Sequence, residues 1–132
     1  VQTNPATRIY WGDTHGHTGF AEGTGSPDGY FRFGRDVARL DFLTLSEHDL
    51  WMDDWEWRNL QETTGKYDKP GAFTTILGYE WTALNPLGGH HNVFFATPKG
   101  RRRAPVQEAQ NLDELYTRLR SLHKPSEVLI IP

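Results

Sequence analysis

Histidines and carboxylates fall in four short segments of the sequence. Asp13, His15 and His17 stand two residues apart, so an extended chain places all three on one face. The other three segments are Glu47-His48-Asp49, Glu80, and the pair His90-His91. Imidazole and carboxylate ligands without thiolate suit Zn, Mn or Fe, and the chain contains no cysteine. These residue types indicate a metal site, provided that the four segments meet in the fold.

Convergence of the segments matters more than any one of them. A lone histidine at a strand end is more often hydrogen-bonded than a ligand, and two histidines two residues apart occur by chance. Several imidazoles and carboxylates brought together without a metal carry a large desolvation and repulsion cost, which a cation removes. His123 follows the apolar stretch of a predicted helix, so we expect it to be structural.

The elements that would position these segments alternate along the chain. Apolar runs predict strands at residues 8–13, 41–46, 73–79, 92–96 and 128–131. Capping residues predict helices that begin at Ser26, at Asp53 and at Asn111, the second running to about residue 61. This alternation predicts an α/β fold with mainly parallel strands, and the carboxyl ends of such strands line the functional crevice.

The last predicted strand, residues 128–131, stops one residue before the end of the sequence. A buried parallel strand normally has both faces covered. We therefore expect residues 1–132 to be a single, incomplete domain with an exposed apolar edge or face at this strand. A small open α/β domain that ends naturally here is the alternative.

Composition excludes several classes of protein. Seven Phe, five Trp and five Tyr among 132 residues argue against a disordered chain. A net charge of −3 does not indicate the strongly basic surface that nucleic-acid binding requires. No apolar run approaches the roughly 20 residues of a membrane span, and the missing cysteines exclude disulfides and a thiol nucleophile. The compartment stays open.

Four motifs resemble, in the same order, those of the PHP (polymerase and histidinol phosphatase) superfamily. They are Gly12-Asp13-Thr14-His15-Gly16-His17-Thr18, Ser46-Glu47-His48-Asp49, Gly78-Tyr79-Glu80-Trp81 and Gly89-His90-His91-Asn92-Val93. The residues of these motifs are most similar to those of the DUF3604 branch of that superfamily. The resemblance implies the N-terminal part of a distorted (β/α)7 barrel that binds two or three divalent metal ions (Zn, Mn or Fe).

The resemblance also implies roles for individual residues. His15 and His17 match ligands of a first metal, and Glu80 matches a carboxylate that bridges the first and second. His90, with His91 as its rival, matches a ligand of the second metal. His48 matches a ligand of a third metal, and Glu22 stands where many members carry an Asp ligand. Members also carry a His after a strand like 128–131 and a late Asp-x-His. Neither is in this sequence, so we expect a further C-terminal part to complete the domain.

The roles of other polar and aromatic residues allow two interpretations each. Asp13 and Glu47 are expected to orient imidazoles beside the catalytic Glu80, although Glu47 fits a buried hydrogen-bonded acid equally well. Arg101, Arg102 and Arg103 either reach a substrate phosphate or form solvated surface. Trp51, Trp55 and Trp57 either wall a substrate pocket or pack in a core or interface.

Three functions stay open at this level. The sequence favours a metal-dependent phosphoesterase that uses metal-activated water on a small anionic substrate, with no nucleic acid or membrane partner indicated. A carboxylester or carbamate hydrolase on the same metals is the second. A non-catalytic metal-binding structural or interaction module is the third. All three predict that His15, His17, Glu80 and His90 or His91 surround one point.

Overall fold

A five-stranded sheet lies at the centre of the computed structural model, which describes residues 7–84 and 88–132. Its strands, in spatial and chain order, are β1 (Gly12–Asp13), β2 (Phe42–Leu45), β3 (Thr74–Thr82), β4 (His90–Phe95) and β5 (Val128–Ile131). The helices are α1 (Pro27–Asp36), α2 (Asp54–Tyr67) and α3 (Leu112–Leu122), and a short 3₁₀ turn (Pro125–Glu127) precedes β5.

The sheet is mixed. β1, β2 and β3 pair in parallel, whereas β4 is antiparallel to both β3 and β5. Four of the five strands therefore share one direction, which confirms the α/β class with mainly parallel strands. The reversal of β4 was not predicted. Its physical reason is the short stretch between β3 and β4, since a parallel crossover needs a dozen or more residues.

The reversal of β4 decides which residues meet. Glu80 pairs with Asn92, and Thr82 pairs with His90, across the two strands. The beginning of β4 thus lies beside the end of β3, at the edge where β1 and β2 also end. A parallel β4 would have placed His90 at the opposite edge of the sheet.

The helices begin where their capping residues predict. The Ser26 hydroxyl accepts the backbone N–H of Gly29 at the start of α1, and Asp53 and Glu56 form a reciprocal capping box at the start of α2. α2 continues to Tyr67, past its predicted end near residue 61. β1 is shorter than predicted, because the Trp11 backbone N–H donates to the Asp41 carboxylate at 2.7 Å instead of continuing the strand pairing.

Apolar side chains from the sheet and the three helices form one core. Its largest members include Phe31, Leu60, Phe73, Leu77, Tyr79, Trp81 and Leu115. On β5, by contrast, Leu129 and Ile131 are exposed, as expected for the last strand. Within residues 7–84 and 88–132, no helix combines the length and apolar character needed to cross a bilayer.

The buried carboxylate of Asp49 connects three segments at the edge of the sheet where β2 and β3 end. Asp49 accepts the backbone N–H of Thr82 at 2.8 Å through Oδ1 and that of Val106 at 2.5 Å through Oδ2. Its own N–H donates to the Glu80 carbonyl at 2.9 Å. Burial raises the pKa of Asp49 to about 6, although the two backbone hydrogen bonds work in the opposite direction. Asp49 therefore holds the residues that follow β2 against the end of β3.

We predict that Asp49→Asn lowers the free energy of unfolding by about 1–3 kcal/mol. The amide can accept only one of the two backbone N–H groups, and its NH₂ faces the other. Urea denaturation monitored by circular dichroism measures the change. Asp113→Asn, an exposed substitution in the first turn of α3, is the matched control, and equal midpoints for the two variants would contradict the role assigned to Asp49.

Candidate metal centre

Six titratable side chains converge at one edge of the sheet. They form three groups in which potential ligand atoms lie within 4.8 Å of one another: His15 with His17 and Glu80, His17 with Glu22 and His48, and His48 with Glu80 and His90. His17, His48 and Glu80 each belong to two groups. The structure thus brings together residues from all four segments of the sequence, and their role as ligands stays a prediction.

Five of these six side chains owe their place to the sheet topology. His15 and His17 follow β1, His48 follows β2, and Glu80 lies near the end of β3. Parallel strands end at the same edge, and the antiparallel β4 contributes its beginning, His90, at that edge. Glu22 comes from the loop between His17 and α1.

Glu80 is the central side chain, with 5% of it exposed. Its Oε2 atom lies 3.2 Å from His17 Nε2, 3.3 Å from His48 Nδ1 and 3.7 Å from His15 Nε2. Its Oε1 atom lies 2.5 Å from His90 Nδ1. Among the described residues, the buried Oε2 finds no hydrogen-bond partner. A buried carboxylate oxygen in this position needs a compensating positive charge, so the donor set fits a cation.

His15 and His17 have the spacing of two ligands on one ion. Their Nε2 atoms lie 3.2 Å apart. Two nitrogens bound tetrahedrally at zinc–nitrogen distances of 2.0–2.1 Å would lie about 3.3–3.4 Å apart. The pair of imidazoles therefore needs almost no adjustment to hold a metal.

Polar side chains behind the imidazoles fix the orientation of the rings. His15 Nδ1 lies 3.0 Å from Asn92 Oδ1 and 3.0 Å from Ser46 Oγ. His48 Nδ1 lies 2.7 Å from Thr82 Oγ1. A proton held on Nδ1 of His15 leaves its Nε2 lone pair directed at the cluster, as metal-binding histidines require.

Sequence analysis assigned no role to these orienting residues, although the signal was present. Ser46, Thr82 and Asn92 each lie two residues from a candidate ligand: His48, Glu80 and His90, respectively. Residues two apart on a strand share one face. Polar residues at that spacing could therefore have been predicted to lie beside the candidate ligands.

Glu47 lies behind His17 and is fully buried. Its Oε1 atom accepts the backbone N–H of Thr18 at 2.9 Å and also the Thr18 hydroxyl. Its Oε2 atom lies 3.8 Å from His17 Nδ1. Burial raises the pKa of Glu47, and burial together with the neighbouring His48 lowers the pKa of His17. His17 is thus a neutral imidazole at neutral pH, which is the form that binds metals.

Asp13 differs from its predicted role. It is exposed, and its carboxylate accepts the backbone N–H of His15 at 3.1 Å. Asp13 therefore shapes the turn after β1 and makes no hydrogen bond to an imidazole among the described residues.

The two adjacent histidines of β4 separate onto opposite faces of the strand. His90 faces Glu80, whereas the His91 ring lies beside Trp81, with 6.0 Å between ring centroids. His91 belongs to none of the three groups formed by the described residues. Of the two alternatives, the geometry favours His90.

Two of the three consecutive arginines are occupied within the protein. Arg101 donates to the Thr97 carbonyl at 3.1 Å and pairs with Glu127, also at 3.1 Å. Arg103 donates to the Met52 carbonyl at 2.8 Å. These two guanidiniums therefore have structural roles within the protein instead of the predicted contact with a substrate. Contact between Arg102 and a substrate phosphate stays a prediction. His123 donates its Nε2–H to the Arg102 carbonyl at 2.9 Å, away from the cluster.

Known proteins resemble this chain in sequence and in fold. The model of the family "Protein of unknown function (DUF3604)" matches residues 34–132. A two-domain protein from Bacteroides vulgatus that contains a predicted PHP-like metal-dependent phosphoesterase is 21% identical with a TM-score of 0.56, covering 86% of this chain and 32% of its own. A proposed metal-dependent phosphoesterase from Bifidobacterium adolescentis is 24% identical with a TM-score of 0.48, covering 68% and 29%. No curated protein matches.

The present chain spans about a third of the length of both solved structures. The likeness to the Bacteroides vulgatus protein shows a shared fold over most of the described sheet and helices.

We predict that Glu80→Gln lowers the affinity for divalent metal at least 100-fold, because it removes the one charge that two of the three groups share. His90→Ala should lower the affinity less, since His90 belongs to a single group. Isothermal titration with Zn²⁺ and Mn²⁺, together with the metal content of the purified protein, measures both effects.

The adjacent His91→Gln is the matched control, because its side chain lies on the other face of β4. Metal affinity equal to that of the unmodified protein is expected for this variant. A greater loss in His91→Gln than in His90→Ala would overturn the assignment of β4 faces.

Proposed function

This chain belongs to the DUF3604 family, and we propose that it provides the metal-binding part of a hydrolase that cleaves phosphoesters with water. The observation that carries the proposal is that three donor groups lie side by side and that two of them contain Glu80. A carboxylate has two oxygens and can therefore bind two divalent ions a few ångströms apart.

In this proposal, each group holds one ion of zinc, manganese or iron. His15, His17 and Glu80 hold the first, Glu80 and His90 the second, and His48 with Glu22 the third. Glu22 Oε1 lies 3.5 Å from His48 Nε2, which supports its inclusion despite its exposed position. Divalent ions bound there would polarise the phosphoester oxygens and supply a nucleophilic water at neutral pH.

The protein's own residues position that chemistry. Glu80 brings one negative charge to the centre and is the side chain best placed to bridge two ions. Asn92 and Ser46 hold His15, Thr82 holds His48, and Thr18 fixes the carboxylate of Glu47 behind His17. These contacts keep the rings from rotating, so that little reorganisation accompanies reaction.

Water, rather than a side chain, is the nucleophile in this proposal. Among the described residues, two hydroxyls touch histidines of the site. Thr82 is buried, with Oγ1 2.7 Å from His48 Nδ1, whereas Ser46 contacts His15 Nδ1 and accepts the backbone N–H of Gly16 at 3.1 Å. Both contacts of Ser46 lie on the side of the His15 ring that points away from Glu80. Ser46 is therefore placed to orient the imidazole and not to attack a substrate.

We further propose that residues 1–132 form a single domain unit equivalent to the N-terminal part of a distorted (β/α)7 barrel. Further C-terminal segments would cover β5 and add metal ligands. The exposed Leu129 and Ile131 support this proposal, as does the fold likeness to a chain three times as long.

The decisive experiment is turnover of a panel of aryl and alkyl phosphoesters by the full-length protein, with and without a chelator. We expect phosphoester hydrolysis that a chelator abolishes and added metal restores. His15→Ala should reduce turnover by orders of magnitude through loss of metal, whereas His123→Ala, outside the cluster, should leave rate and metal content nearly unchanged.

Aryl carboxylesters and carbamates are run beside the phosphoesters. Metal-dependent cleavage of these alone would keep the metal centre and overturn the substrate class. Tight metal binding without turnover of any substrate would favour a structural or interaction module. Hydrolysis that survives both chelation and loss of His15 would refute the mechanism.

A further inference from the structure

The three tryptophans that follow the second histidine segment do not share one environment. Trp57 packs in the core, and its indole N–H donates to the Arg101 carbonyl at 2.9 Å. Trp51 and Trp55, in contrast, are 53% and 59% exposed. Packing in the core therefore accounts for Trp57, whereas it does not account for the exposed indoles of Trp51 and Trp55.

One exposed indole contacts a candidate ligand, and the other packs against the loop that carries Glu22. The Trp51 ring meets the His48 ring at 86°, with 5.0 Å between centroids. The Trp55 ring lies 6.0 Å from that of Phe20. Phe20 is two residues before Glu22, whose Oε1 atom lies 3.5 Å from His48 Nε2. Phe20, Trp51 and Trp55, here named the aromatic wall, thus come from the two segments, one after His17 and one after His48, that adjoin the group of His17, Glu22 and His48.

The contact between Trp51 and His48 connects the aromatic wall to the candidate metal centre. His48 is also stacked on His17, with 4.4 Å between centroids and 15° between planes. One imidazole therefore touches both an exposed indole and another candidate ligand. A substrate whose phosphate reaches the ligands of this group would place its next few atoms against Trp51.

Exposed indoles bind planar rings better than they bind flexible chains. Aromatic rings stack in offset or edge-to-face arrangements, which add to the gain from buried apolar area. Two tryptophans left half-exposed beside an otherwise polar cluster offer a surface of this kind. A flexible aliphatic group would bury area without the stacking contribution.

We propose that the aromatic wall binds a planar aromatic group of the substrate, so that the enzyme prefers phosphoesters of aromatic alcohols or of nucleosides. This inference rests on the proposed phosphoesterase function and adds its specificity. Trp51 is the residue expected to contact the substrate ring, and Trp55 extends the same surface along α2.

The test measures binding, so that it does not depend on turnover. Phenylphosphonate and cyclohexylphosphonate have the same charge and nearly the same size, but only the first is planar. Quenching of tryptophan fluorescence and competition with methylphosphonate give their affinities for the metal-loaded full-length protein. A nucleoside 5′-monophosphate, measured in the same way under non-hydrolysing conditions, separates a nucleobase from a simple aryl group as the source of the ring.

We expect phenylphosphonate to bind about ten-fold more tightly than cyclohexylphosphonate. Trp51→Ala should abolish this preference, Trp55→Ala should reduce it, and Trp51→Phe should retain most of it because the ring remains. Metal affinity should be unchanged in all three variants. Trp11→Ala is the control, since Trp11 is 70% exposed and lies at the opposite end of the sheet, beside Asp41.

Two results would overturn the proposal in distinguishable ways. Equal affinity for the phenyl and cyclohexyl compounds, unchanged in Trp51→Ala, would refute the aromatic wall as a substrate site and leave the proposed phosphoesterase standing. Failure of every phosphonate, methylphosphonate included, to bind the metal-loaded protein would refute the proposed function together with this inference.

Discussion

The burial of the Glu80 carboxylate among four imidazoles is the constraint on which the rest of the structure depends. A buried charge must be compensated, and the three histidine nitrogens around Oε2 lie within 3.7 Å of it. Burial lowers the pKa of His17, which favours the neutral form of this imidazole, so His17 does not supply the missing charge. A cation at this position would satisfy the carboxylate and the imidazole lone pairs at once, and metal binding would then stabilise this edge of the sheet.

The sheet is built to keep that arrangement in place. Each candidate ligand on a strand has a hydrogen-bonding residue two positions away, because the alternation of side chains puts both on the same face. Asp49 then anchors the residues after β2 to the end of β3 through backbone N–H groups. As a result, Asn92 and Ser46 hold the His15 ring, and Thr82 holds the His48 ring, which limits the freedom of these two imidazoles to turn.

The surroundings of this centre differ on its two sides. Toward the protein lie Glu47, Thr18 and Ser46, which are buried and hydrogen-bonded. Toward solvent lie His90, Glu22 and the exposed indoles of Trp51 and Trp55. The buried side fixes geometry, and the open side is where a substrate has room to approach. Specificity is therefore expected from the loop after β1 and from the segment that leads into α2.

The sequence by itself determined the features that depend on near neighbours. Residue types and spacing predicted the side chains that converge at the candidate metal centre, the helix-capping residues and most of the strands, because these follow from local periodicity and side-chain chemistry. Tertiary structure alone decided the direction of β4, the choice of His90 over His91, the internal partners of Arg101 and Arg103, and the burial of Trp57 rather than Trp51 or Trp55. Each of these depends on contacts between residues far apart in the chain. Neither propensity nor spacing encodes which strand edge or which face of a strand such a contact will use.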